Sequence, residues 1–387
     1  MNTDPLRGAA AEFQRWAVDK ALPLWATAGF DRAHGRFEEC LSLRGERAPD
    51  VPIRLIVQAR QIYSYAVAAQ RKWHPRAAML VELAYSSMVR DFYRRDDQGG
   101  WVFSIRRDGN IADARRDLYS HAFALLAISS YVLTTGNRQA LALADETLAY
   151  IDGDLRAKRA GGYIEALPES GALRRQNPHM HLFECQLSLW TNTREARYLA
   201  RAGEIFGLFS SRFFRAQPGV LGEYFDDALD PARDGAGDIV EPGHHCEWIW
   251  LLRWFERESG RSVKPYVDPL FAHAEAFGYD KAGLLVDEIT AGGAHLTASH
   301  RVWPMTEAIK ANVAEAAAGR AGAGARAAAL STLLMERFLK PAHAGGWIDR
   351  LDAEGRHASE TMPASTLYHL VCAIDVMNQH CEDRSRR

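Results

Sequence analysis

The chain has 387 residues, 47% of them hydrophobic and 25% charged, which is enough apolar material for a large core and excludes a largely disordered chain. Its formal charge is −2, with arginines interspersed among acids, so the basic footprint of a nucleic-acid-binding protein is absent. Five scattered cysteines, Cys40, Cys185, Cys246, Cys372 and Cys381, form no C-x-x-C pair, so the spacing suggests neither a disulfide framework nor a zinc site, and free thiols fit a reducing cytosol.

Met1 to Phe13 contain Asp4, Arg7 and Glu12 in place of the apolar core of a signal peptide. Apolar residues at helical spacing then run over 6–26, followed by a glycine-led extended segment, Gly35-Arg-Phe-Glu, and a second helical stretch over 51–70. The same unit recurs as 76–94, Gly100-Trp-Val-Phe and 117–135, and again as 137–153, Gly162-Tyr-Ile-Glu and 178–191. A fourth copy is 194–211, Gly219-Val-Leu-Gly-Glu-Tyr and 242–258; a fifth is 263–277, Gly283-Leu-Leu-Val-Asp and 303–319; a sixth is 324–338, Gly346-Trp-Ile-Asp and 363–380. The leading glycines are 57 to 65 residues apart, the signature of a repeat architecture. No run of about 18 apolar residues occurs, so no spanning helix is expected.

Pro52, Pro178, Pro242, Pro304 and Pro363 fall where a first helical turn tolerates proline, and Asp117 is a candidate cap. The later helix of each unit is the more apolar and is expected inside; the earlier one carries more Arg and Glu and is expected outside. Polar capping repeats, which an open solenoid requires, are missing from both ends. The expected fold is therefore all-α, an (α/α)6 barrel of six helical hairpins forming one domain over 1–387, with 381–387 a disordered tail. Gly319, Gly322 and Gly324 lack the lysine of a phosphate loop and read as a plain link.

If the repeat holds, the first turns of all six inner helices emerge at one end. They carry Arg54 and Gln58; Tyr119 and His121; Asn177, His179, His181 and Glu184; Glu241, His244, His245, Glu247 and Trp248; Arg301, Trp303 and Glu307; Ser365, Tyr368 and His369. Each alone has a structural explanation, but so many ionisable groups near an apolar interior carry a large desolvation cost without a function. His244-x-x-Glu247 shares one helix face. A metal set of His179, His181, His244 and Glu247 is conceivable, yet no H-E-x-x-H pattern is present and two arginines point at the same cavity.

Asn177-Pro-His-Met-His-Leu-Phe-Glu184, Glu241-Pro-Gly-His-His-Cys-Glu-Trp248, Arg301-Val-Trp-Pro-Met-Thr-Glu307 and Pro363-Ala-Ser-Thr-Leu-Tyr-His369 resemble segments of the N-acylglucosamine 2-epimerase family over essentially the whole chain. The resemblance implies an (α/α)6 barrel and metal-free proton transfer at a sugar C2, with no cofactor. It implies catalytic roles for Arg54, His181, His244, Glu247 and His369, and substrate contacts for Trp303 and Glu307; Tyr119, His121, His179, Glu184, Arg301 and Trp248 are expected to bind substrate beside them. His244, supported by Glu247, would open the sugar ring, His369 would remove the C2 proton, and Arg54 would hold the enediolate oxygen. The stretches Arg301–Glu307 and Pro363–His369 look closer to the monosaccharide isomerases than to the cellobiose epimerases, and the reading favoured is an aldose–ketose isomerase that interconverts mannose and fructose. The alternative is a 2-epimerase of N-acylglucosamine and N-acylmannosamine or of a free aldose. A small sugar is the expected partner, with neither nucleic acid nor membrane; a homodimer is compatible, and the expected location is the cytoplasm.

Two other classes are compatible with such a barrel. A glycoside hydrolase or lyase would use two carboxyl groups among Glu184, Glu241, Glu247, Glu307 and Asp287, against which the dominance of histidine argues. A non-catalytic binding barrel would leave the six polar helix starts idle.

Overall fold

In the computed structural model, residues 4–48, 51–169, 171 and 173–386 are described, and among them run twelve helices of twelve residues or more. In chain order they are α1 (Pro5–Trp16), α2 (Leu55–Gln70), α3 (Ala77–Phe92), α4 (Leu118–Thr135), α5 (Leu141–Gly153) and α6 (Gln176–Thr193), then α7 (Ala196–Leu208), α8 (Pro242–Ser259), α9 (Lys264–Phe277), α10 (Val302–Ala317), α11 (Ala323–Leu334) and α12 (Thr366–Arg386). The even-numbered helices form a closed ring: α2 packs on α4, α4 on α6, α6 on α8, α8 on α10, α10 on α12, and α12 back on α2. The odd-numbered helices lie outside it. Their amphipathic pattern explains the placement, as in α1, which buries Leu6, Ala10 and Phe13 on one stripe. The inner helices are buried nearly all round; α4 is long and apolar enough to cross a membrane, but 78% of that stretch is buried inside the protein.

A second closure runs around one mouth of the ring. The short strand feeding each inner helix pairs antiparallel with the strand after the next glycine segment: Ile53–Arg54 with Ser104–Ile105, Arg116–Asp117 with Ala166–Leu167, and Arg174–Arg175 with Tyr224–Phe225. The series continues as Ile239–Val240 with Glu288–Thr290 and His300–Arg301 with Arg350–Leu351. Thr361–Pro363 then pairs with Cys40–Ser42, joining the sixth unit to the first. The all-α expectation therefore needs this belt of strands added. Pro363 lies within a strand and Pro52 just before one, so α2 and α12 begin at Leu55 and Thr366, later than those prolines suggest. Asp117 does cap α4, its Oδ1 accepting from Ser120 N at 2.8 Å.

The expected disordered tail is a correction: 381–386 are the end of α12. Arg384 pairs with Asp4 at 3.1 Å and Arg7 Nη2 donates to the Cys381 carbonyl at 3.2 Å, so the last turns are held against the first helix. Arg387 lies outside the described residues. A cavity of about 1090 Å³ opens at the mouth opposite the belt, where the C-terminal halves of the inner helices contribute Tyr63, Ser130, Thr191, Trp254, Val313 and Asp375.

Candidate active site

Five of the inner-helix starts carry a brace for the glycine segment beside them. Gln58 Oε1 accepts from Phe37 N (2.8 Å), His121 Nε2 from Trp101 N (3.1 Å), His179 Nε2 from Tyr163 N (3.0 Å), His245 Nε2 from Leu221 N (3.0 Å) and Met305 Sδ from Leu285 N (3.2 Å). His121 and His179 each also donate Nδ1–H to the carbonyl one turn back, of Asp117 at 2.8 Å and of Arg175 at 3.1 Å. Burial lowers both to about 4, since both ring nitrogens are committed and a second proton would break the backbone bond. Gly100 and Gly162 make room for these rings: at φ +72° and +65°, a Cβ would stand 2.7 and 2.8 Å from the respective Nε2. His121 and His179, expected to bind substrate, are thus structural braces. Trp248 is likewise withdrawn from that role: it is stacked between Phe183 and Phe209, and its Nε1–H donates to Gln176 Oε1 at 2.7 Å.

The remaining histidines, His181, His244 and His369, are 3%, 4% and 5% exposed and share one design. Each places Nδ1 against its own glutamate: His181 on Glu184 (2.9 Å), His244 on Glu223 (3.0 Å) and His369 on Glu307 (2.8 Å). Such a partner fixes the Nδ1–H tautomer and leaves Nε2 for chemistry. The Trp303 ring lies between His244 and His369, with centroids 5.0 and 5.9 Å away, and the Arg301 guanidinium is 5.2 Å from its centre. The Tyr119 ring stands edge-on to His181 at 4.9 Å. Tyr368 donates to Glu184 Oε1.

Glu223 and Arg60 were not singled out by the sequence reading. Each glycine segment except the second ends in an acid that reaches back to its inner-helix start: Glu39 holds Arg54 Nε at 2.6 Å, Glu165 holds Arg175 Nε at 2.8 Å, Asp287 holds Arg301 Nε at 2.7 Å, and Asp349 accepts from Thr366 at 2.6 Å. In the fourth unit that acid is Glu223, and its target is His244. The recurring acid was the available signal. Arg54, expected to act on the enediolate, sits on the rim with both Nε and Nη2 engaged by Glu39. Arg60, one and a half turns deeper, donates Nη2–H to the Tyr119 hydroxyl (2.7 Å), lies 4.4 Å from the Phe123 centroid and has no carboxylate in ion-pair range among the described residues. Its buried Nε has no partner, which leaves a buried positive charge facing the histidines.

Environment splits the three imidazoles. Burial would lower His244, but the carboxylates of Glu223, Glu241 and Glu247 outweigh it and raise the group to about 9. For His181 burial outweighs the Glu184 contact and lowers it to about 4. Burial, followed by the charges of Arg60 and Lys310, pushes His369 well below its ordinary value. At neutral pH the site thus holds one charged imidazole and two neutral ones. Glu247, at whose helix turn His244 was expected to find its support, instead has Oε1 4.0 Å from His181 Nε2, with no hydrogen-bond partner. Burial beside Glu307 drives its carboxyl well above the usual range, making it a proton donor. A divergent acid–base pair is the pattern of enzymes that move protons at neutral pH.

Three triads, His181–Glu184–Glu247, Glu223–Glu241–His244 and Glu247–Glu307–His369, bring donor atoms within 4.8 Å among the described residues. In the last, the Lys310 ammonium already lies 2.6 Å from Glu307 Oε2 and supplies the positive charge. His179, which the conceivable metal set required, faces its brace.

Residues 35–373 match the N-acylglucosamine 2-epimerase (GlcNAc 2-epimerase) family. The chain belongs to that family. It is 35% identical to the mannose-6-phosphate isomerase of Rhizobium meliloti (strain 1021) over 94% of this chain and 95% of that one. Among solved structures it is similar to the cellobiose 2-epimerase of Spirochaeta thermophila DSM 6192 (TM-score 0.86, 23% identity, 98% of each chain). It is also similar to a D-mannose isomerase (TM-score 0.84, 20% identity, 95% of this chain and 97% of that one). At those identities the structural likeness is one of fold. With family membership the protein is an enzyme of the isomerase class, acting as a sugar isomerase or epimerase.

Proposed function

We propose that the chain is an (α/α)6-barrel aldose–ketose isomerase that interconverts mannose and fructose by metal-free proton transfer. The observation that carries this reading is the set of three imidazole–glutamate pairs divided into one charged and two neutral rings. Charged His244 donates a proton to the ring oxygen and, once neutral, takes the proton from O1, so that the ring opens to the aldehyde and the imidazole is charged again. Neutral His369 then takes the C2 proton through Nε2; the C–H electrons form the C1–C2 double bond, and the aldehyde oxygen becomes an enediolate oxygen facing Arg60. The Glu247 carboxyl supplies a proton to that oxygen. The Glu247 carboxylate so formed takes the O2 proton, and His369 Nε2–H, after exchange with solvent, protonates C1, which gives the ketose and restores both groups.

The rim arginines Arg54, Arg175 and Arg301 are each paired with an acid, which supports an uncharged sugar over a phosphorylated one. The name of the D-mannose isomerase supports mannose, and that of the mannose-6-phosphate isomerase supports aldose–ketose isomerisation of a mannose skeleton. The buried, unpaired thiols of Cys185, Cys246 and Cys372 fit a cytoplasmic enzyme.

Purified protein in heavy water with chelator, offered mannose, fructose, glucose, N-acetylmannosamine and mannose 6-phosphate in turn, tests the reading. Mannose yielding fructose, with deuterium entering at C2 of mannose, is expected. An epimeric aldose without ketose would make the chain a 2-epimerase, and absence of exchange with every sugar would sink the mechanism.

A further inference from the structure

Lys310 stands one turn beyond Glu307 on α10 and is completely buried. Its ammonium is 2.6 Å from Glu307 Oε2, in an approach that is ionic rather than a linear hydrogen bond, 3.8 Å from the Trp250 ring centre and 3.8 Å from Cys372 Sγ. The other oxygen of the same carboxylate, Oε1, is 2.8 Å from His369 Nδ1. One glutamate therefore bridges a buried cation and the imidazole that faces the substrate.

The surroundings make that cation consequential. The charged and titratable groups that act electrostatically on the pair, or on His369 and Cys372 beside it, are Glu247 and His244 from α8, His181 and Glu184 from α6, Arg60 and Tyr63 from α2, and Tyr368 from α12. Glu307 and Glu247 share this dry space and repel one another when both are charged. Burial raises both carboxyls, Glu247 well above the usual range and Glu307 by less because the Lys310 ammonium against it opposes the shift; the nearest positive charge decides which of them keeps a proton, and Lys310 lies against Glu307. Isolated buried ion pairs are poor stabilisers compared with apolar packing, so this one is better explained by what it does to its neighbour.

We infer that Lys310 is a positioning residue: its ammonium keeps Glu307 anionic, anionic Glu307 accepts the Nδ1–H of His369, and His369 thereby presents a bare Nε2 to the substrate carbon. Without the ammonium, Glu307 takes the proton and donates it in a hydrogen bond to Nδ1, which moves the imidazole proton to Nε2 and removes the base. The catalytic consequence rests on the isomerase reading; the tautomer does not.

Lys310→Met, Lys310→Arg, Glu307→Gln and the double variant Glu307→Gln/Lys310→Met test it, using protein labelled with 15N-histidine and a His369→Gln control to identify the His369 signals. Wild type is expected to show the Nδ1–H tautomer at neutral pH and Lys310→Met the Nε2–H tautomer. With mannose, Lys310→Met is expected to lose about 100-fold in kcat with KM little changed, a size typical of groups that orient a reacting residue. Its acid limb should move up by at least about one pH unit as Glu307 resists ionisation, and Lys310→Arg should recover much of the loss. An Nδ1–H signal persisting in folded Lys310→Met, or a kcat profile unmoved along the pH axis, would overturn the inference. Should Lys310→Met not fold, the neutral double variant decides: activity equal to Glu307→Gln alone supports the relay, and an additive loss refutes it. If no sugar is turned over, the isomerase reading fails while the tautomer still judges Lys310.

Discussion

Glu223 Oε2 lies 3.0 Å from His244 Nδ1 and also accepts from Gln176 Nε2 at 2.9 Å. Gln176 Oε1 in turn accepts from the Trp248 indole at 2.7 Å. A core tryptophan, an amide and a carboxylate thus form one chain ending at an imidazole raised to about 9, and the carboxylate that controls it comes from the belt, outside the imidazole's own helix.

Glu223→Gln should therefore act through His244. In the wild type a step needing the charged imidazole fails as pH rises through about 9; with the amide, the imidazole loses its proton at lower pH. The basic limb of kcat/KM is expected to fall by one pH unit or more, and activity at pH 8 to drop on the order of 10- to 100-fold. An unmoved basic limb would separate Glu223 from the charge on His244.

The braces make a different forecast. His121→Ala, His179→Ala and His245→Ala each strand a buried backbone N–H, at a cost of about 1–3 kcal/mol in unfolding free energy, yet the folded fraction should keep kcat within severalfold. Because Gln58 does the same work in the first unit, glutamine at these positions should cost less than alanine. His181→Gln should behave oppositely, with near-normal stability and no hydrogen exchange. Denaturant unfolding beside the heavy-water assay distinguishes the two groups; loss of kcat in stable His179→Gln would return that residue to the site.

The repeated glycine segments and the apolar periodicity made the six units and the inner–outer division legible, because both are one-dimensional patterns. The face on which a side chain lands was less so. His179 and His181, two positions apart, point to nearly opposite sides of a helix, and a difference of one residue in its start decides which of them meets the cavity. Arg60 and Lys310 sit beyond the first turn, in stretches whose apolar neighbours read as plain core; only packing shows that Arg60 has no acid beside it among the described residues and that Lys310 touches Glu307. Glu223 was visible as one of the acids closing the glycine segments, but its partner belongs to a helix start twenty-one residues later. The strand belt escaped detection because two-residue strands carry no measurable alternation.

Arg60 and Arg54 should separate in kinetics. Arg60→Ala removes a buried charge that no carboxylate among the described residues neutralises, and a loss of about 100- to 1000-fold in kcat is expected if it meets the enediolate oxygen. Arg54→Ala releases Glu39 at the rim and should raise KM more than it lowers kcat. Steady-state kinetics with mannose decide, and a kcat loss confined to Arg54→Ala would restore the oxyanion role to the rim residue.

The pH dependence of stability offers the sharpest test of a brace, because its sign is fixed. His179 titrates at about 4 in the folded protein and near 6.5 when unfolded. Between those values the unfolded chain binds a proton that the native state cannot, so the wild type loses stability from this residue as pH falls from 6.5 towards 4. His179→Gln has no such group. The variant should be less stable than wild type at pH 7, and the gap should shrink by roughly 2 kcal/mol on going to pH 5. Taking the difference between two proteins that share every other ionisable group cancels the buried carboxylates, whose raised values act in the opposite sense. Parallel urea titrations at pH 7 and pH 5 measure it. A gap that stays constant would mean that His179 accepts a proton while folded and that its Nε2 is not committed to Tyr163 N.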